Sequence, residues 1–252
     1  MSSRGWWKPK AIPQMHTEPE IEILRPGVTP DSCDSVPHAI YQTWGSHDLP
    51  ERMRYAVDLL KQANPGFSHS LVNDTEQRAF LIEKFSEDVV AAYDTLLPGA
   101  FKADLWRYCV MYLRGGYYID IKFIPVNGWS FANLKTQTYV LDHSQTFPGL
   151  SHGVYNAFLM AKPGCPIMKA AIEGVVENAK NRVLSEQLSV SGPGLLGSIV
   201  SSDECSLYWD KKRIVTRNNH TPLLAQYEGY RNDCKTSGYV HYSNMWPHSI
   251  YR

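Results

Sequence analysis

Hydrophobic and polar residues alternate along the chain in short blocks whose period changes repeatedly. The segment His38-Ala-Ile-Tyr-Gln-Thr-Trp44 is rich in strand formers and closed by Gly45, so it reads as a first strand. Leu49-Pro50-Glu51 then opens a helix with Met53, Val57 and Leu60 at helical spacing, stopped by Asn64-Pro65-Gly66. Phe67 to Val72 alternates as a second strand. Asn73 or Asp74 caps the next helix, whose inner face carries Phe80, Leu81 and Phe85, and a third helix runs from about Asp88 to Leu97.

From Ala100 onward, Phe101, Leu105, Tyr108, Cys109 and Tyr112 recur at i, i+4, i+7, i+8 and i+11, one buried face of a helix that Gly115-Gly116 ends at a left-handed cap. Tyr117 to Phe123 follows as a strand after almost no loop. Further strands are predicted at Thr138–Leu141 and Val154–Ala161, and an amphipathic helix from Pro166 to about Val183. Strands alternating with helices predict an α/β sandwich built on a mostly parallel sheet. Residues 1–35, rich in proline and glycine and without a hydrophobic period, are read as an irregular arm, and 36–252 as one domain.

Composition narrows the picture by exclusion. The chain has 252 residues, 43% hydrophobic and 20% charged, which suits a folded globular protein. Lys plus Arg and Asp plus Glu number 25 each, a balance that argues against nucleic acid as the main partner. No stretch is long and apolar enough for a membrane span, and the first residues lack a signal core, so the expectation is a soluble, cytoplasmic protein. Five cysteines without any CxxC pair read as reduced structural thiols.

Candidate chemistry clusters around the Gly-Gly turn. In open α/β sheets ligands bind beyond the carboxyl ends of the strands. Trp44 ends the first strand, and Asp120 sits in the strand after the turn. An ionised Asp among Tyr117, Tyr118, Ile119 and Ile121 is costly unless a cation or donors satisfy it, and Lys122, two residues on, is the nearest candidate in sequence. On the preceding helix Asp104 and Arg107, three apart, can meet each other or grip one ligand. Taken singly, each of these residues also has a structural role open to it, as core or as an ordinary ion pair.

Taken together, these residues resemble glycosyltransferase family 32. The resemblance rests on Ile40-Tyr-Gln-Thr-Trp44, Asn64-Pro-Gly-Phe67, Phe101-Lys-Ala-Asp-Leu-Trp-Arg-Tyr108 and Leu113-Arg-Gly-Gly-Tyr-Tyr-Ile-Asp120. Later blocks fit in order: Tyr155-Asn-Ala-Phe158, Ala161-Lys-Pro-Gly-Cys-Pro166, Ser191-Gly-Pro-Gly194 and His241-Tyr-Ser-Asn-Met-Trp246. The resemblance implies a GT-A fold, a Rossmann-like sandwich, and transfer of a sugar from a UDP- or GDP-sugar to a glycan or glycoconjugate with retention of configuration. By position it also implies site roles. Trp44 would stack on the base, and Tyr118, Asp104, Arg107, Ser243 and Trp246 would contact the donor. Asp120 would be the first residue of the DxD motif, and Asn156, Gly192 and Gly194 would border the acceptor. A divalent cation, Mn²⁺ foremost, would be held by Asp120 with His241. The third DxD position is Lys122 instead of a carboxylate, a form shared by some members, virus-encoded ones among them, and it puts metal dependence in doubt. A catalytically inactive nucleotide-sugar-binding module is the alternative reading.

Overall fold

A computed structural model describes residues 21–145, 147–184, 188–246, 248 and 250–252. Residues 1–20 of the expected N-terminal arm, and so most of that segment, lie outside the described residues. Residues 21–35 form no helix and only an isolated bridge, Leu24 to Phe85, with Ile23 buried in the core.

The first half alternates strands and helices much as the pattern predicts. Strand β1 (Ala39–Thr43) leads to helix α1 (Glu51–Ala63), strand β2 (Ser68–Val72), helix α2 (Asp74–Lys84) and helix α3 (Glu87–Thr95). Asn73 caps α2, accepting from the Glu76 amide at 3.0 Å while Glu76 accepts from the Asn73 amide at 2.8 Å, a reciprocal capping box. Helix α4 (Gly99–Arg114) buries nearly all its faces, Asp104 and Arg107 included. It ends at Gly115, whose φ is 64°, and strand β3 (Gly116–Ile119) starts at once. At Gly116 (φ 105°) a Cβ would lie 2.6 Å from the Ala39 carbonyl oxygen, so only glycine lets β3 come this close to β1.

The predicted strand through Phe123 is interrupted. Asp120, Ile121 and Lys122 form a turn closed by the Phe123 amide donating to the Asp120 carbonyl at 3.2 Å, and strand β4 (Phe123–Pro125) departs in another direction. Strands β5 (Val140–Asp142), β6 (Gly153–Val154) and β7 (Phe158–Ala161) follow, then helices α5 (Pro166–Lys180) and α6 (Pro193–Ile199). Strands β8 (Leu207–Asp210), β9 (Arg213–Thr216) and β10 (Pro222–Gln226) and helix α7 (Tyr230–Thr236) complete the named elements.

Where one mostly parallel sheet was expected, two mixed sheets are found. The first has order β2-β1-β3-β7, with β2, β1 and β3 parallel and β7 antiparallel at the edge. The second, β4-β10-β9-β8-β5-β6, is antiparallel except for the β5/β8 pair. The largest apolar cluster packs α3, α4 and α5 on one face of the first sheet, and a second cluster, with Phe123, Phe131 and Phe158, lies between the sheets. Ile119 belongs to that second cluster and Ile121 to a third, with Leu49 and Met53, so two buried side chains flank Asp120. Burying each stabilises by about 1.5–3 kcal/mol, which offsets the cost of holding charged groups in a half-dry turn between them. Among the described residues no helix is long and apolar enough to cross a membrane, and all five cysteines are free thiols.

Candidate active site

At the carboxyl edge of the parallel strands lies a cavity of about 730 Å³. Its floor is a chain of four charges. Arg107 Nη2 lies 3.3 Å from Asp104 Oδ1, Arg107 Nη1 lies 3.5 Å from Asp120 Oδ1, and Lys122 Nζ lies 2.7 Å from Asp120 Oδ2. The spacing of three on α4 sets the first pair, and the turn after β3 sets the last. Lys122 thus meets Asp120 through a turn, not through the alternation of an extended strand.

Every member has further partners. Arg107 donates from Nη1 to the Asn156 carbonyl at 2.8 Å and from Nε to the Ala103 carbonyl at 3.2 Å, and its guanidinium lies 4.3 Å from the Tyr118 ring centre. Asp104 accepts from Asn156 Nδ2 and Ser191 Oγ, both at 2.8 Å. Asn156 Nδ2 also donates to Tyr108 Oη at 3.0 Å, and Tyr108 in turn donates to the Ser191 carbonyl at 2.7 Å. Tyr118 donates to Asp120 Oδ1 at 3.1 Å and shares a 3.0 Å bond with Thr43. The network is satisfied inside the protein, so it presents fixed dipoles at the cavity with no reorganisation needed.

Environment separates the two carboxylates. Burial pushes Asp104 up to about 6 despite Arg107, Ser191 and Asn156. Burial also raises Asp120, yet Lys122 and Arg107 outweigh it and hold that carboxyl below its ordinary value. For Lys122, burial opposes the charge and Asp120 more than restores it, so the ammonium titrates well above its usual range. Arg107 shifts upward for the same reason, held by Tyr118 and both carboxylates against burial.

The structure distributes the other candidate residues unevenly. Asn156, Gly192, His241 and Ser243 line the cavity with the four charges. Asn156 spends its side-chain amide on Asp104 and Tyr108, so it sets the position of Asp104 instead of facing a ligand freely. A Cβ at Gly192 would approach Asp104 Oδ2 to 3.4 Å, and one at Gly194 would strike Ser189, so both glycines keep that turn tight; Gly194 does not line the cavity. His241 Nδ1 accepts from Ser243, and burial with the charges of Arg231 and Lys122 lowers its pKa. Three of the donor residues expected from the resemblance sit elsewhere. Tyr118 is buried beneath Arg107 and supports Asp120, and Trp246 packs against the main core. Trp44 lines a neighbouring groove of about 840 Å³, stacked on Tyr239 at 5.7 Å, and Tyr239 borders both spaces.

Several cavity residues carried no signal in the sequence. Asp142 ends β5 and accepts from the Ser144 amide at 2.8 Å; Trp209 stacks on Tyr155 at 4.2 Å; Arg231 and Lys235 come from α7. Only the i, i+4 spacing of Arg231 and Lys235 could have marked them as sharing a face.

The donor set does not fit a directly held divalent ion. Among the described residues no three His, Cys, Asp or Glu side chains converge as metal ligands. Both oxygens of Asp120 already face cations, and a dication there would have to displace the ammonium at 2.7 Å.

Residues 50–141 match the family described as the glycosyltransferase sugar-binding region containing DXD motif. The match is to a family of sugar transferases, over that part of the chain. The matched region holds Asp104, Arg107, Asp120 and Lys122. Among its relatives, the Saccharomyces cerevisiae protein named as a glycosyltransferase, HOC1, is 26% identical over 178 residues, covering 64% of this chain and 44% of that protein. The initiation-specific alpha-1,6-mannosyltransferase of Candida albicans is 30% identical over 108 residues, covering 39% of this chain and 28% of that protein. The chain therefore spans less than half the length of these relatives. Among solved structures the PaToxG glycosyltransferase shares the fold, with a TM-score of 0.52 at 19% identity, covering 66% of this chain and 69% of that one. The α/β architecture is that of the GT-A glycosyltransferases.

Proposed function

We propose that the protein moves a sugar from a nucleoside-diphosphate sugar, a UDP- or GDP-sugar, to a hydroxyl of a glycan or glycoconjugate with retention of configuration. The observation that carries this reading is the Asp104–Arg107–Asp120–Lys122 network on the cavity floor. In this reading Asp104, set by Asn156 and Ser191, accepts a hydroxyl of the donor sugar. Arg107 and Lys122 face the charge that develops on the departing diphosphate. The acceptor oxygen forms its bond to the anomeric carbon as the bond from that carbon to the phosphate oxygen breaks. The bond's electron pair stays on the phosphate oxygen, which takes the acceptor's proton, so no protein nucleophile is needed.

The acceptor is assigned to the bank formed by the second sheet, where Asp142 and the stacked Tyr155–Trp209 pair line the cavity. An aromatic face beside a carboxylate suits the apolar side and the hydroxyls of a sugar ring. Mannosyl transfer is the first activity to assay, because two kinds of relative are named as mannosyltransferases, the alpha-1,6 enzyme of Candida albicans and the inositol phosphoceramide enzymes of Schizosaccharomyces pombe.

The test incubates the protein with GDP-mannose, UDP-glucose, UDP-galactose and UDP-N-acetylglucosamine, with and without methyl glycoside acceptors, and measures released nucleoside diphosphate. Proton NMR of the product's anomeric signal decides retention. Turnover of at least one donor is expected. The engagement of both Asp120 oxygens by cations favours a second reading, a binding module without turnover; donor binding with no release of diphosphate would establish it, and no binding of any donor would overturn both.

A further inference from the structure

The four charges on the cavity floor cancel: Asp104 and Asp120 are matched by Arg107 and Lys122. A donor diphosphate carries a negative charge on each phosphate, and against a self-neutral floor it finds no net attraction. A third carboxylate, Asp142, lines the same cavity. Positive charge must come from elsewhere, and Asp120 is not placed to recruit it as a metal ion.

Helix α7 supplies it. Strand β10 pairs with β4 so that Gln226 faces Phe123, and the next amide, Tyr227, donates to the Lys122 carbonyl at 3.0 Å. The chain then turns at Gly229 (φ 89°), where a Cβ would strike the Arg52 guanidinium, and α7 begins. Tyr227 Oη anchors the helix by donating to the buried Asp233 carboxylate at 3.0 Å. This path lays α7 beside Lys122, and Arg231 and Lys235, one turn apart, line the cavity. Neither side chain makes an ion pair or hydrogen bond among the described residues, and both are exposed. Two unpaired cations facing an otherwise neutral or acidic cavity have no structural work there.

We propose that Lys122, Arg231 and Lys235 together hold the diphosphate of the nucleotide donor and take the place of a divalent metal ion. The inference rests on the donor reading given above and adds to it the means of diphosphate recognition. Lys122 reaches the phosphates from the floor, and Arg231 and Lys235 close on them from the side, Arg231 being able to bridge two oxygens with its planar fork.

The test is calorimetric titration of the full chain with UDP, GDP and inorganic pyrophosphate, first in excess EDTA and then with Mn²⁺. At least one nucleoside diphosphate should bind in EDTA, with affinity changed less than about threefold by Mn²⁺. Loss of one charge-assisted contact should weaken binding about tenfold in Arg231→Ala and again in Lys235→Ala, and the double variant should lose pyrophosphate binding as well. Arg231→Lys and Lys235→Arg should recover most of the affinity. Both positions are exposed and unbonded, and unchanged melting temperatures verify folding. Diphosphate binding that vanishes in EDTA and returns with Mn²⁺, or equal affinity in wild type and the double alanine variant, overturns this inference and leaves the donor reading standing. Absence of binding under every condition, with GDP-mannose and the UDP-sugars included, overturns both.

Discussion

Lys122 Nζ lies 2.7 Å from Asp120 Oδ2, within a turn that leaves the Asp120 side chain 22% and the Lys122 side chain 15% exposed. On the reading that Asp120 opens a DxD motif, this ammonium stands where the motif carries its second carboxylate.

Exchanging that role back is the most direct prediction. Lys122→Asp should lower turnover in EDTA by at least tenfold and make activity depend steeply on Mn²⁺, because two carboxylates then face each other and need an ion between them. Asp120→Asn should reduce turnover by on the order of a hundredfold or more while the fold persists, since Ile119 and Ile121 still anchor the turn. Turnover against free Mn²⁺, with circular dichroism as the folding control, checks both; near-full activity in a folded Asp120→Asn would refute the site.

A second prediction concerns Trp44. It stacks on Tyr239, and Tyr239 borders both the groove and the main cavity, so a base lying against Tyr239 would reach Trp44. Trp44→Ala should weaken binding of the nucleotide by about 1–3 kcal/mol, by analogy with base stacking on aromatic side chains. Calorimetry with UDP and GDP measures it, and an unchanged affinity would assign Trp44 to packing alone.

The buried Asp104 carboxyl predicts a pH dependence of stability. Its value of about 6 in the fold exceeds the ordinary carboxylate value of about 4. Burial therefore favours the protonated form, and the associated stability is fully present below about pH 4 and lost as pH rises through about 6. Asp104→Asn, neutral throughout, should gain on wild type between pH 4 and 7 by on the order of 3 kcal/mol. Urea unfolding at several pH values reads the difference; a flat difference would mean that Arg107 keeps Asp104 ionised throughout.

Trp209 provides a prediction on the opposite bank of the cavity. Trp209→Ala should raise the KM for a glycoside acceptor about tenfold or more and leave donor hydrolysis within twofold, because the residue touches neither Asp104 nor Asp120 and stacks only on Tyr155 and against Phe123. Parallel loss of donor hydrolysis would place the donor, not the acceptor, on this side.

What could be read from sequence followed the strength of the local signal. Elements through Ile119 were legible because proline, glycine and a capping Asn73 punctuate clear helical and strand periods. The pairing of Asp104 with Arg107 was legible from helical spacing, and the nearness of Asp120 to Lys122 from sequence separation, although a turn, not a strand, brings them together. The hairpin of β8 and β9 was not. Its turn uses Lys211 and Lys212 at φ 42° and 79°, positions where Asn-Gly would have announced it. Helix α7, seven residues long, is too short to show a period, so Arg231 and Lys235 carried no visible link to Asp120. Tyr118 is the opposite case: the resemblance implied a donor contact, whereas the side chain is buried and donates to Asp120.

The chain passes between the two sheets at Asp120–Lys122, from β3 to β4, and again at Tyr155–Ala157, from β6 to β7. The Asp120 amide donates to the Ala157 carbonyl at 2.8 Å, and Arg107 donates to the Asn156 carbonyl at the same distance, so these crossings are stapled to each other and to α4. The charged floor is thus also the mechanical splice of the molecule. Part of any load that slides one sheet over the other runs through these groups that face the cavity. A ligand seated there would act as a pin through that joint, and hydrogen exchange should slow in both sheets at once, including strands such as β2 and β9 that the ligand never touches.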